Sequence, residues 1–89
     1  MAKLYQVVLK PAALRELKKI PAHDLQKLDE RIRTLADNPR PPGCKKLQSP
    51  DDLLRVRVGD YRIVYQVTEK PRQVTVVRIG NRSEVYRGF

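Results

Sequence analysis

The segment from Leu54 to Thr68 constrains the fold of this 89-residue chain more than any other part of the sequence. Leucine and valine alternate with arginine over residues 54–58, and this period of two is typical of a strand with one apolar face. Gly59-Asp60 suits a two-residue hairpin turn, so residues 61–68 are predicted as the return strand. The apolar face of such a hairpin must be covered by another element.

Two predicted helices precede the hairpin and can supply that cover. Pro11 is favoured as the first residue of a helix, Pro21 interrupts the pattern, and Asn38-Pro39 ends it. Residues 11–37 are therefore predicted as a helical hairpin with one shared apolar face. The apolar positions with helical spacing are Leu14, Leu17 and Ile20 in the first helix and Leu25, Leu28, Ile32 and Leu35 in the second.

The remaining segments complete a sheet. Alternating apolar residues predict a first strand over Leu4–Lys10 and a last strand over Val74–Ile79, and Lys45-Lys46-Leu47 is a candidate short edge strand. The order is β-α-α-β-β-β. It predicts an α+β fold in which residues 1–89 form a single domain. We expect an antiparallel sheet of about four strands with the helical hairpin packed on one face.

Composition excludes several kinds of chemistry. Cys44 is the only cysteine and His23 the only histidine, so an internal disulfide, a cysteine-based zinc site and a histidine-centred triad are not expected. The prediction is therefore no metal and no cofactor. No apolar run approaches the roughly 18 residues of a membrane span, and the N-terminal residues do not resemble a signal peptide. The expected location is the cytoplasm, without membrane contact.

The charge of the chain points to an anionic partner. It carries 19 lysine and arginine residues against 10 aspartate and glutamate residues, a formal net charge of +9. Such a charge indicates nucleic acid, an acidic protein or an anionic surface as the partner. From residue 53 onward the basic residues are arginines apart from Lys70. Arginine suits bidentate phosphate contacts better than lysine does.

The predicted hairpin brings three of these arginines to one face of the sheet. With Gly59-Asp60 as the turn, Arg57 lies directly opposite Arg62. Arg55 shares their side because side chains two residues apart in a strand point the same way. Like charges opposite one another destabilise a sheet, and a bound phosphate would remove that repulsion. We interpret this face as a phosphate-binding surface; a solvated basic face is the alternative left open.

The tyrosines divide by position. Tyr61 and Tyr65 have the parity of the apolar face, so they are predicted to lie in the core. Tyr86 follows the last strand, near Arg82, and has no periodic reason to be buried. It is therefore a candidate site residue.

The same segments resemble a known family. Residues 54–65, LRVRVGDYRIVY, look like the central hairpin of the RelE/ParE superfamily of toxins from toxin–antitoxin systems. Asn38-Pro39 and Lys45-Lys46-Leu47 resemble the segment before it, and residues 79–86 resemble the closing segment. The Arg-x-x-x-Tyr pattern in that closing segment favours the RelE branch. The resemblance covers essentially the whole chain and implies the RelE-like microbial ribonuclease fold.

The resemblance implies a function and roles for named residues. RelE-like toxins are ribosome-dependent endoribonucleases that cleave messenger RNA in the A site without a metal, by attack of the ribose 2′-hydroxyl on the neighbouring phosphate. Many relatives carry histidine where this chain has Asn81. The residues that match catalytic positions are Arg62, Arg82 and Tyr86, and those that match phosphate-binding positions are Lys46, Arg55 and Arg57.

The resemblance also implies partners, and two other functions compete. The implied partners are the ribosome with its messenger RNA and a cognate antitoxin, expected to be acidic and partly disordered when free. One alternative is a ParE-like toxin that inhibits DNA gyrase. The other is a non-catalytic basic RNA-binding module, although aromatic residues for stacking bases are only 6% of the chain.

Overall fold

A helical hairpin and a five-stranded sheet form the fold in the computed structural model, which describes residues 4–48 and 51–81. The α+β class and the placement of two helices before the hairpin are confirmed. The elements in chain order are β1 (Gln6–Leu9), α1 (Pro11–Lys18), α2 (Ala22–Leu35), β2 (Lys45–Lys46), β3 (Leu54–Val58), β4 (Tyr61–Glu69) and β5 (Arg72–Asn81).

The central hairpin has the predicted register. Val56 lies opposite Ile63, Arg57 lies opposite Arg62, and Val58 lies opposite Tyr61 across the turn. Gly59 has a φ of 60°, in the left-handed region that a two-residue hairpin turn requires and that glycine adopts without strain. The local pattern therefore sets both the turn and the face on which each side chain lies.

The sheet differs from the prediction in strand number and direction. Its order is β1-β5-β4-β3-β2, so it has five strands rather than about four. It is mixed rather than wholly antiparallel, because β1 runs parallel to β5 while the other pairs are antiparallel. The long connection through both helices permits this parallel pairing, and alternation within a strand carries no information about the direction of a distant partner.

The helices cover one face of the sheet and form the core with it. In α2, Leu28, Ile32 and Leu35 are buried, as predicted. In α1 the prediction was partly wrong. Leu17 and Ile20 pack against the core as predicted, but Leu14 is 44% exposed and Ala13 is the fully buried residue of α1. The sheet residues buried in this core are Val56, Ile63, Tyr65, Val74, Val76 and Ile79.

The two tyrosines of β4 lie on the helix side, as predicted. Tyr65 is fully buried, and its hydroxyl donates a hydrogen bond to the Pro39 carbonyl at 2.6 Å. Tyr61 is half-buried against the same core, with its hydroxyl 3.4 Å from Asp24 Oδ2. The Tyr65 contact holds the chain after α2 against the sheet, and the Tyr61 contact joins the first turn of α2 to β4. None of the helices in the described residues is long and apolar enough to cross a membrane.

Candidate functional site

Five basic residues of the described strands have register positions on the sheet face opposite the helices. One of them, Arg78 in β5, pairs with Val64 in the sheet and forms an ion pair with Glu16, and the other four are considered together. Arg57 pairs with Arg62 across β3 and β4, and Lys45 pairs with Arg55 across β2 and β3. Paired residues lie on the same face of a sheet, and residues two apart in a strand also share a face. We call Lys45, Arg55, Arg57 and Arg62 the arginine face. It contains two directly opposed pairs of like charge.

Arg62 is the most buried member of the arginine face. It is 6% exposed, whereas Arg55 is half-buried and Arg57 is exposed. Its Nη1 donates a hydrogen bond to the Tyr61 carbonyl at 3.2 Å, which holds the guanidinium beside its own strand. Burial and this bond restrict the side chain, so its charge is presented from a defined position.

No carboxylate in the described part of the chain neutralises the arginine face. Ion pairs form elsewhere among residues 4–48 and 51–81, but none involves its four members. A buried or half-buried charge is costly unless a partner compensates it. The concentration of positive charge therefore favours binding of an anion with several oxygen acceptors, such as phosphate.

A small cluster of apolar side chains lies beside the arginine face, and the sequence analysis did not predict it. Val64 pairs with Arg55 yet is fully buried, and it packs with Leu53, Leu47 and Val77. A bulge in β5 at Val77, seen as a register shift after Val64, contributes to this cluster. Apolar surroundings lower the local dielectric and strengthen the attraction between arginine and a bound anion.

Lys45 and Lys46 lie on different faces of the sheet, and the phosphate-binding role of Lys46 stays a prediction. Lys46 pairs with Leu54, so its register position is on the helix side, and its Nζ lies 3.4 Å from Asp52 Oδ1. Lys45 pairs with Arg55 and joins the arginine face. The pairing of the short β2 with β3 decides which lysine lies on which face.

The structure brings together Arg55, Arg57 and Arg62 of the predicted residues, while Arg82 and Tyr86 lie outside the described residues.

Three described tyrosines have pKa values shifted upward. Hydrogen bonding to Glu69 raises the pKa of Tyr5, with distances of 2.8 and 3.1 Å to the two carboxylate oxygens. Burial and the nearby Asp24 raise the pKa of Tyr61, and burial raises that of Tyr65 strongly. A phenolate is disfavoured at all three positions, which therefore do not suit a general base near neutral pH.

The histidine belongs to α2 and the cysteine packs on the helix side of the sheet. His23 is 79% exposed in the first turn of α2, with Nε2 3.3 Å from Asp24 Oδ1. Cys44 is a half-buried free thiol against the helix-side core. Within residues 4–48 and 51–81, no group of three histidine, cysteine, aspartate or glutamate side chains could hold a metal ion.

A groove extends the basic surface around the edge of the sheet. It runs between α2 and the β3–β4 hairpin and is lined by Lys27, Arg31 and Arg57, together with the acidic Glu30. Arg31 and Arg57 also line the adjoining depression near Gly43. Positive charge therefore continues from the arginine face onto one side of α2.

The sequence matches a known family over residues 7–86, described as the ParE toxin of type II toxin-antitoxin system, parDE. A putative toxin RelE1 of Methanocaldococcus jannaschii is 33% identical over 86 residues, covering 93% of this chain and 96% of that protein. An mRNA interferase toxin RelE of Escherichia coli is 32% identical over 77 residues, covering 83% of this chain and 81% of that protein.

Solved structures agree with the sequence relatives. An archaeal RelE–RelB complex from Pyrococcus horikoshii contains a chain with a TM-score of 0.79 and 27% identity, covering 91% of this chain and 98% of that one. The isolated E. coli RelE toxin has a TM-score of 0.76 and 29% identity, covering 92% of this chain and 90% of that one. The chain belongs to the RelE/ParE family of type II toxin–antitoxin systems. Within that family, these relatives and structures carry the name RelE.

Proposed function

We propose that this toxin is a ribosome-dependent endoribonuclease that cleaves messenger RNA in the A site without a metal. The observation that carries the proposal is the arginine face, where two opposed pairs of like charge lack a carboxylate partner in the described part of the chain. An RNA phosphate would neutralise that charge. The E. coli relative described as an mRNA interferase supports RNA as the substrate.

The chemistry assigned to the site is attack of a ribose 2′-oxygen on the adjacent phosphorus. The new P–O2′ bond forms as the P–O5′ bond breaks, leaving a 2′,3′-cyclic phosphate and a free 5′-hydroxyl. The reaction needs a base for the 2′-proton, a stabiliser for the charged phosphorane and an acid for the leaving oxygen. Arg62 suits the stabilising role because burial holds its charge in place, while Arg55 and Arg57 bind phosphate oxygens.

Tyr86 is assigned as the base. The shifts at Tyr5, Tyr61 and Tyr65 oppose phenolate formation, and His23 lies in α2, next to Asp24, rather than in a strand of the arginine face. Nearby guanidinium groups would favour the phenolate of a tyrosine that shares their site. Arg82 is assigned to the phosphate or to protonation of the leaving oxygen. A guanidinium holds its proton strongly and is a poor general acid, so phosphate contact is the better supported role.

The proposed partners follow from the charge and from the relatives. The related P. horikoshii toxin was solved in complex with RelB. A chain of net charge +9 with an unneutralised basic face suits an acidic antitoxin that orders on binding. Action on translating ribosomes also implies a cytoplasmic location.

Expression of the chain alone tests the proposed activity. We expect growth arrest and messenger RNA cuts within translated reading frames, with coexpression of the cognate antitoxin restoring growth. Primer extension maps the cuts.

The name of the matched family favours a second candidate, a ParE-like gyrase inhibitor. Intact messenger RNA together with gyrase-dependent DNA damage would establish that candidate and contradict ours.

A non-catalytic RNA-binding module is less well supported. The three described tyrosines all pack against the core on the helix side of the sheet. The described part of the arginine face therefore offers guanidinium groups but no aromatic ring on which bases could stack. Growth arrest without cleavage would favour such a module.

The groove beside α2 predicts where ribosomal RNA contributes binding. Lys27→Glu combined with Arg31→Glu reverses two charges next to Arg57 without touching a buried core position. We expect weaker ribosome co-sedimentation and reduced toxicity, because phosphate contacts are lost. Circular dichroism should show an unchanged fold.

The matched control is a reversal on the same helix whose charge is already paired. Arg33 forms an ion pair with Asp29 at 2.9 Å, so it has less positive charge to offer to RNA. Arg33→Glu should weaken ribosome association less than the double reversal. Unchanged co-sedimentation of the double variant would confine recognition to the sheet and its loops.

A further inference from the structure

Glu16 of α1 makes a concentrated set of contacts with the far end of β5. Its Oε1 accepts hydrogen bonds from Arg78 Nε at 3.0 Å and from the Ile79 backbone N–H at 3.1 Å. Its Oε2 accepts a bond from Arg78 Nη2 at 3.1 Å. The Glu16 carboxylate thus holds both the Arg78 side chain and the main chain of the next residue, Ile79. Arg78 lies 62 residues after Glu16 in the sequence.

The contact lies where β5 lacks a strand neighbour on one side. β1 pairs with β5 only as far as Val76, opposite Leu9, and the chain then enters α1. The backbone N–H of Ile79 therefore has no strand partner on that edge, and the Glu16 carboxylate accepts its hydrogen bond instead. An unpaired N–H at a buried position is costly, and Ile79 is fully buried. Glu16 replaces the missing strand at this point.

The held section of β5 adjoins one of the groups assigned to catalysis. Gly80, the next residue, pairs directly with Arg62. The position of β5 at Ile79 and Gly80 therefore sets the backbone that lies opposite Arg62.

We propose that Glu16 is a positioning residue, which holds β5 at Ile79 and Gly80 and so fixes the strand backbone that lies opposite Arg62. The role rests on the proposed ribonuclease function. Glu16 and Arg78 side chains are 26% and 28% exposed, so their charges are screened less than those of a surface pair. A bidentate pair with an arginine also fixes orientation, which a single contact does not.

Substitution of Glu16 tests the role. Glu16→Gln keeps an oxygen for the Ile79 N–H and loses the charge, and Glu16→Ala loses both. A misplacement of about 1 Å at a catalytic site can cost on the order of 100-fold. We expect Glu16→Ala to lower the single-turnover cleavage rate on programmed ribosomes by roughly 10- to 100-fold, with Glu16→Gln intermediate and ribosome affinity unchanged.

Asp29→Asn is the matched control. It removes an ion pair of similar length, 2.9 Å to Arg33, within α2 and away from β5. It should leave the rate unchanged. The role is overturned if Glu16→Ala cleaves at the wild-type rate, if its rate falls only with ribosome affinity, or if Asp29→Asn causes the same loss.

Amide hydrogen exchange measured by NMR tests the contact without any activity. Glu16→Ala should speed exchange at Ile79, Gly80 and Asn81 and leave the β3–β4 amides, such as Ile63, as in the wild type. Faster exchange throughout the sheet would mean that Glu16 acts on global stability and would overturn the positioning role. If the wild type cleaves no RNA, the proposed function fails. In that case, exchange at residues 79–81 that is the same in Glu16→Ala as in the wild type would show that Glu16 does not hold β5 either.

Discussion

Replacing Arg62 by alanine is expected to lower the single-turnover rate of messenger RNA cleavage by roughly 100- to 1,000-fold, by analogy with the loss of one oxyanion-hole donor. The physical reason is the fixed position of its charge. Arg62 is 6% exposed and bonded to the Tyr61 carbonyl, so no other guanidinium of the arginine face replaces it without moving. The single-turnover cleavage rate is measured with purified toxin and ribosomes that carry a defined messenger RNA.

Two variants make the Arg62 experiment specific. Arg62→Lys keeps the charge but loses the planar set of donors, so its rate should lie between those of the alanine variant and the wild type. Arg72→Ala removes an exposed arginine at the opposite end of β5 and should cleave normally. A folded Arg62→Ala protein that cleaves within a few-fold of wild type would remove Arg62 from the mechanism.

Tyr86→Phe is expected to reduce single-turnover cleavage by roughly 100- to 10,000-fold, the contribution usual for a general base. The phenol oxygen is lost while the ring is kept, so ribosome binding should be unchanged. Comparing the cleavage rate with the co-sedimentation affinity separates the two effects. The loss should appear in the rate alone.

Tyr61→Phe is the control for loss of a tyrosine hydroxyl. Its hydroxyl lies 3.4 Å from Asp24 on the helix side, and its pKa is raised, so it has no part in the proposed proton transfer. This variant should cleave like the wild type. Cleavage by Tyr86→Phe at the wild-type rate would instead assign the base to another group.

The hairpin was predictable because its information is local. Alternation over residues 54–58 and the Gly59-Asp60 turn together set the pairing of Arg57 with Arg62, and the structure has that register. The same alternation separated Arg55, Arg57 and Arg62 from the apolar face. The roles of Arg82 and Tyr86 stay predictions, carried by the family resemblance and the chemistry.

Features that depend on distant partners were not predictable in this way. The parallel direction of β1 depends on how the helices cross the sheet. The choice of Lys45 over Lys46 for the arginine face depends on how a two-residue strand pairs with β3. Either register would satisfy a pair of adjacent lysines, so the residue types hold no preference.

Arg78 shows most clearly the difference between what local periodicity predicts and what the tertiary structure alone decides. In the sequence, Arg78 is one of the arginines that follow the central hairpin, and it lies in a predicted strand, as Arg55, Arg57 and Arg62 do. In the folded chain it binds Glu16 from a helix 62 residues earlier, and its pKa is raised chiefly by that hydrogen bond. Residue periodicity specifies which side of its own strand a side chain occupies. Whether a charge there meets a carboxylate or stays open to a phosphate depends on which distant element packs against it, and that is settled when the chain folds.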